Sequence, residues 1–145
     1  MNQGTVITRD GKNYIRDYFI YTASVADLAS GISSSDAINI EADSAFIVEK
    51  MAQMSDIAGA AQTDASRVIP LVRASIRDTG SGRNLQDEAV DITSMAGDGR
   101  LPAILPVPRI FQPRSSIIVT FENYSSATTY ANVSLYLIGY KEWLL

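Results

Sequence analysis

Two runs near the C-terminal end alternate apolar and polar side chains with a period of two. In the first, Ile117, Val119 and Phe121 fall on one side and Ile118, Thr120 and Glu122 on the other. In the second, Ala131, Val133, Leu135 and Leu137 alternate with Tyr130, Asn132, Ser134, Tyr136 and Ile138. A period of two is that of a strand with one buried face, and it excludes an amphipathic helix. Asn123-Tyr124-Ser125-Ser126 turns the chain between the runs, which therefore read as a two-strand meander. Its buried face is Val119, Phe121, Val133, Leu135 and Leu137. Its outer face is polar and aromatic, suited to contact with another surface rather than bare water.

The same rhythm runs upstream. Thr5-Val6-Ile7-Thr8 reads as a short strand with Asp10-Gly11 as a turn behind it, and residues 37–41 alternate as a strand. Residues 45–57 fit two patterns. Phe46, Val48, Lys50, Ala52 and Met54 alternate with their neighbours, while Ile47, Met51 and Met54 also match helical spacing. Strand is the reading adopted, because Phe-Ile-Val favours β and the flanking segments are strands. Residues 59–66 are small and polar, a loop. Residues 68–76 place Val68, Val72, Ala74 and Ile76 on one face and Arg73 off it, with Pro70 marking an edge or a bulge. Residues 78–82 form a tight turn, and residues 85–92 another short strand. Four of the five prolines (Pro102, Pro106, Pro108 and Pro113) lie in residues 95–113 among Leu101, Ile104, Leu105, Val107, Ile110 and Phe111. Proline at that density forbids helix and interrupts strand ladders, so the segment is expected to run extended and packed across the domain. Together these segments describe an all-β, antiparallel β-sandwich, best fitted by a jelly roll.

Residues 14–21 crowd Tyr14, Ile15, Tyr18, Phe19, Ile20 and Tyr21 together with no clean polar face. The run reads either as a buried strand or as an arm that docks on a partner through anchoring aromatics. The division adopted is an N-terminal extended arm over residues 1–30 that serves oligomerisation, ahead of the sandwich over residues 31–145. Tyr14, Ile15, Tyr18, Phe19 and Tyr21 are its candidate interface residues.

The chain of 145 residues suits one domain with a sizeable core. It has no cysteine and no histidine, so thiolate nucleophiles, Cys or His metal ligands and a Ser-His-Asp triad are excluded. Any enzyme here would run on carboxylates, lysine, tyrosine or backbone. The net charge of −4 argues against nucleic-acid binding, and only 19% of residues are charged, which points to surface hidden against other subunits. No stretch approaches eighteen apolar residues, so no membrane span is expected. The first residues lack a basic region followed by an apolar run, so synthesis in the cytoplasm without an export leader is expected.

The carboxylates Asp78, Asp87, Glu88, Asp91 and Asp98 cluster in the middle of the chain but match no calcium-loop spacing. They read as a solvated loop rim. Gly80-Ser81-Gly82-Arg83 and Gly97-Asp98-Gly99-Arg100 lead into no helix and read as β-turns rather than phosphate cradles. Lys50 stands without the partner set of a Schiff-base site. Tyr14, Tyr18, Tyr21, Tyr124, Tyr130, Tyr136 and Tyr140 could form a sugar-stacking platform, although tyrosine is common on β-faces and interfaces. No catalytic, metal or cofactor site is assigned.

The run 76–85 (Ile-Arg-Asp-Thr-Gly-Ser-Gly-Arg-Asn-Leu), then Met95-Ala96-Gly97-Asp98-Gly99-Arg100-Leu101-Pro102, Leu105-Pro106, Ile110-Phe111, residues 117–124 and residues 135–141 follow an order that resembles small β-sandwich virion proteins of tailed bacteriophages. Among these it is most similar to the capsid cement (decoration) proteins. The resemblance covers residues 37–142 and rests on turns and strands, not on catalytic signatures. It implies a jelly roll on the capsid surface of the virion, symmetric oligomers (a homodimer or homotrimer), and clamping of neighbouring major capsid protein subunits. A tail or fibre module binding a receptor or glycan, and a hydrolase with two converging carboxylates, remain the alternatives.

Overall fold

The computed structural model describes residues 4–58 and 66–145, so the small polar loop expected at residues 59–66 lies, but for Ser66, outside the described residues. Among the described residues, ten strands form two antiparallel sheets. The strands are β1 (Thr5–Arg9), β2 (Lys12–Leu28), β3 (Ser33–Asn39), β4 (Ala45–Ile57), β5 (Val72–Asp78), β6 (Arg83–Asn84), β7 (Val90–Asp91), β8 (Ala103–Phe111), β9 (Ser116–Asn123) and β10 (Tyr130–Leu144), with one helical turn, α1 (Ile92–Met95), before β8. The larger sheet has the order β1-β2-β10-β4-β8. The smaller has the order β3-β9-β5-β6, with β7 also on β5. With β6 and β7 counted as two pieces of one strand, and β1 set aside as a hairpin on β2, eight strands remain. Their orders, 2-10-4-8 and 3-9-5-6/7, are the two interleaved Greek keys of a jelly roll.

The core lies between the sheets. Phe46, Val48, Phe111, Ile76, Val119, Phe121, Val133, Leu135 and Leu137 are fully buried. The five residues expected on the buried face of the last two strands are among them. Residues 45–57 are strand throughout, the reading that β preference and the flanking strands favoured over helical spacing.

The pairing differs from expectation in several places. β9 and β10 are not a meander. β9 pairs with β3 and β5, and β10 with β2 and β4. Their apolar faces meet across the core instead of lying side by side, and a period of two is the same in either arrangement. The chain crosses between the sheets through a link held by buried Asn123, which donates from Nδ2 to the carbonyls of Leu28 (2.9 Å) and Thr128 (2.7 Å) and accepts from Ser125 N–H. Tyr130, expected outward, is buried, because a register shift between Tyr130 and Asn132 turns it inward, where its hydroxyl accepts from Leu71 N–H.

Residues 12–28 are not a separate arm. β2 pairs with β10 from Tyr14 opposite Leu144 to Leu28 opposite Tyr130, and it sends Tyr21, Ala23 and Leu28 into the core. A boundary at residue 30 would cut through one sheet. β1 folds back on β2 through a two-residue turn in which Asp10 and Gly11 both have positive φ (52° and 73°). Those are the dihedrals of a type I′ hairpin, which the Asp-Gly pair favours.

β5 starts at Val72, beyond Pro70, and keeps Val72, Ala74 and Ile76 buried as expected. Of the strand expected at 85–92 only the two-residue β7 forms; β6 lies just ahead of that span, and Ile92 begins α1. Between β6 and β7 the Gln86 side chain accepts from Ile76 N–H (2.9 Å) in place of a backbone carbonyl. β8 does run extended, but as an edge strand. Its ladder with β4 breaks between Arg109 and Ile104, where Pro106 and Pro108 sit, and Ile104, Val107 and Ile110 are exposed rather than packed.

Two measurements check this architecture. Phe121→Ala should cost about 3–5 kcal/mol in urea denaturation, as expected for a phenylalanine lost from a sealed core. A chain lacking residues 1–28 should fail to give a cooperative melt, because it loses a strand of the main sheet. A soluble, cooperatively folded truncation would show that β2 is dispensable.

Candidate functional site

A two-layer sandwich buries its inner faces and normally shows polar outer ones. The smaller sheet follows that rule. Its outer face carries Ser35 and Thr120 with their hydroxyls in contact, the Arg73–Glu122 pair, and Arg77 bonded to Asn84. The outer face of the larger sheet does not. The register places Tyr14, Arg16, Tyr18 and Ile20 of β2 beside Leu144, Glu142, Tyr140 and Ile138 of β10. Next to these lie Ile47, Lys50 and Ala52 of β4, then Ile110 and Ile104 of β8. Tyr18 and Ile104 are each 74% exposed, and Ile110, Leu144 and Ile20 are exposed as well. Val107, on the broken stretch of β8, is exposed as well. Contiguous apolar surface of this kind marks an interaction site.

The charges on this face are largely tied up. Glu142, nearly buried, accepts from Arg16 Nε (2.7 Å) and Arg9 Nη2 (2.8 Å). Burial alone would raise its pKa, but the two guanidinium groups outweigh it and hold the carboxyl below its usual range. Arg16 lies over the Tyr140 ring (4.4 Å) and Arg9 over Tyr14 (4.5 Å), so the cations double as covers for aromatic faces. Burial raises the pKa of the Tyr140 hydroxyl.

The five expected interface residues are split by the strand period. Tyr14 and Tyr18 face outward. Ile15, Phe19 and Tyr21 face the other way: Ile15 and Tyr21 are buried, and Phe19 packs edge-on against Tyr21. The tyrosines separate likewise. Tyr14, Tyr18, Tyr136 and Tyr140 share the outer face, Tyr21 and Tyr130 are interior, and Tyr124 lies by the smaller sheet under Arg73. Ile104 and Ile110 were not foreseen as surface residues, because alternation alone does not say which sheet face meets a second layer.

The mid-chain carboxylates do not converge. Asp78 is buried, accepts from Gly80 N–H and Ser81 Oγ, and faces Arg109. Asp98 accepts from the N–H groups of Leu101 and Arg100, which lower its pKa. Asp91 accepts from the Tyr124 hydroxyl, and Asp87 from Glu88 N–H. The two glycine-rich turns are thus held by their aspartates. Among the described residues no cluster of three or more carboxylates could hold a metal ion. Beside the outer face, a groove of about 660 Å³ is lined by Met54, Tyr136, Arg67, Val68 and Arg100. Behind it Asp56, fully buried, accepts from Arg67 Nε and Ser66 Oγ.

The depressed pKa of Glu142 sets a pH dependence. A carboxyl lowered on folding adds stability above its unfolded pKa and loses it as pH falls through its folded value. Melting temperature should therefore drop on acidification through and below the ordinary carboxylate range. Glu142→Gln should lower the melt at neutral pH and flatten that part of the profile. A parallel profile for the variant would remove Glu142 from the account. Comparison with known proteins found no matching family model and no matching curated protein.

Proposed function

We propose that this chain is a structural protein of a bacteriophage particle. It binds the outside of the assembled capsid through the outer face of its larger sheet and bridges neighbouring major capsid protein subunits, as a cement protein does. The observation that carries this reading is the contrast between the two outer faces. One is furnished for water, while the other presents Tyr18, Ile20, Ile104 and Ile110 beside the Arg9–Glu142–Arg16 ion group. The order of turns and strands that resembles cement proteins is an independent support. The mechanism is linkage. A protein that binds only the assembled lattice stabilises that lattice, and many copies on a rigid shell raise the effective concentration of each further contact. No catalytic step is part of the proposal, and the site of action is the virion surface after synthesis in the host cytoplasm.

A second reading, a tail or fibre module that binds a receptor or glycan, is favoured by the groove. There Tyr136 offers a stacking face and Arg67 and Arg100 offer donors. Copy number separates the two. Hundreds of copies per particle, measured by mass spectrometry against the major shell protein, fit cement; a few to a few dozen fit a tail part.

Tyr18→Glu and Ile104→Glu should each weaken binding to purified capsids by about thirty-fold or more, the equivalent of one hot spot of about 2 kcal/mol. Ser35→Glu on the polar face should leave it unchanged. All three should melt like the parent chain, since none of these side chains is buried. Undiminished capsid binding by both outer-face variants would defeat this docking mode.

A further inference from the structure

A bare sheet edge pairs with any available strand, and folded proteins blunt their edges with proline, inward charges, bulges or shortness. The two sheets have four edges among the described residues: β1, continued beyond Arg16 by β2, and β8 in the larger, β3 and the β6/β7 pair in the smaller. Three are blunted. β8 contains Pro106 and Pro108 and is interrupted on its paired side. β6 and β7 are two residues each. β3 carries Asp36 on its core side, where the carboxylate accepts from Ser24 N–H of β2 (2.9 Å) and closes the corner between the sheets. β1 has none of these devices. It contains no proline and no glycine, it pairs with β2 in unbroken register, and its core-side residues are Val6 and Thr8.

The hairpin decides which backbone groups are left over. Arg9 and Lys12 flank the two-residue turn and form a hydrogen-bonded pair, so Ile7–Tyr14 and Thr5–Arg16 are the next such pairs. Val6 and Thr8 therefore turn their N–H and C=O groups to the open side. We propose that β1 pairs antiparallel with β1 of a second copy of this chain, about a two-fold axis at Ile7. In that register Val6 stands opposite the partner's Thr8, Ile7 opposite the partner's Ile7, and Thr5 opposite the partner's Arg9. β-Branched side chains meet across the axis, and each arginine faces a threonine rather than a second cation. The four open-side groups of each copy are satisfied by about four backbone hydrogen bonds in all. The strand is its own complement, and this selects a second copy as the occupant. The contact closes at two and joins the larger sheets edge to edge, with both aromatic faces continuous. It does not depend on what the outer face binds.

Sedimentation velocity of the full chain across a dilution series tests this. The expected result is a monomer–dimer equilibrium in the micromolar range. Val6→Pro removes an open-side donor and leaves the β2 ladder whole, so it should weaken the dimer at least tenfold, and Thr8→Pro should do the same. Amide exchange on the unaltered chain gives a measurement independent of any variant: Val6 and Thr8 should be protected at high concentration and exposed on dilution. A chain that stays monomeric, a trimer or larger closed ring, a dimer indifferent to both prolines, or concentration-independent exchange at Val6 and Thr8 would each overturn the proposal.

Discussion

β10 lies between β2 and β4, and the rest of the molecule depends on that position. It is paired on both sides along most of its length, so its backbone groups are consumed within the larger sheet. Its alternate side chains then have two fates. Val133, Leu135 and Leu137 seal the core, and Tyr136, Ile138 and Tyr140 form the middle of the outer face. The fit to β4 is close enough to require glycine. A Cβ at Gly139 would stand 1.8 Å from the carbonyl oxygen of Ile47. The cause is the bulge at Glu49, which shifts the register between Ile138 and Gly139 and presses the two backbones together. A bulge sharpens local twist, so the same irregularity that demands Gly139 bends the sheet.

The unequal strand lengths follow from this arrangement and shape the functional surface. β2, β10 and β4 have 17, 15 and 13 residues, whereas β3, β5 and β9 have 7, 7 and 8. The larger sheet therefore extends past the smaller. At the overhang the two faces use charge differently. On the outside Glu142 is clamped by Arg9 and Arg16. On the inside Lys141 lies over Phe19 and pairs with Glu41. Successive residues of one strand thus anchor opposite faces, which secures the end of the sheet where no second layer covers it.

The prolines and the hairpin divide the edges between protection and availability. Pro106 and Pro108 make β8 a poor template for another strand while leaving Ile104, Val107 and Ile110 displayed. That combination suits a side-chain interface and discourages backbone pairing. β1 has the opposite character, with short β-branched side chains and open backbone groups. The molecule therefore offers two kinds of contact, one through side chains on a face and one through backbone along an edge.

Local periodicity was enough to place residues 117–122 in a strand and to name Val119, Phe121, Val133, Leu135 and Leu137 as core; β preference and flanking strands decided residues 45–57, which fit two periods, and turn chemistry put the hairpin at Asp10-Gly11. Each of these depends on a side chain and its near neighbours, which is the range over which alternation and turn chemistry operate. Tertiary structure decided the rest. It put β9 and β10 in opposite sheets, made residues 14–21 part of a long strand of the larger sheet with Tyr14 and Tyr18 outward and Ile15 and Tyr21 inward, and turned Tyr130 into the core through one register shift. The physical reason is that a strand's pattern separates its two faces but does not name its neighbours. Which strand supplies the missing hydrogen bonds, and which face meets a second layer, is settled only when distant segments pair.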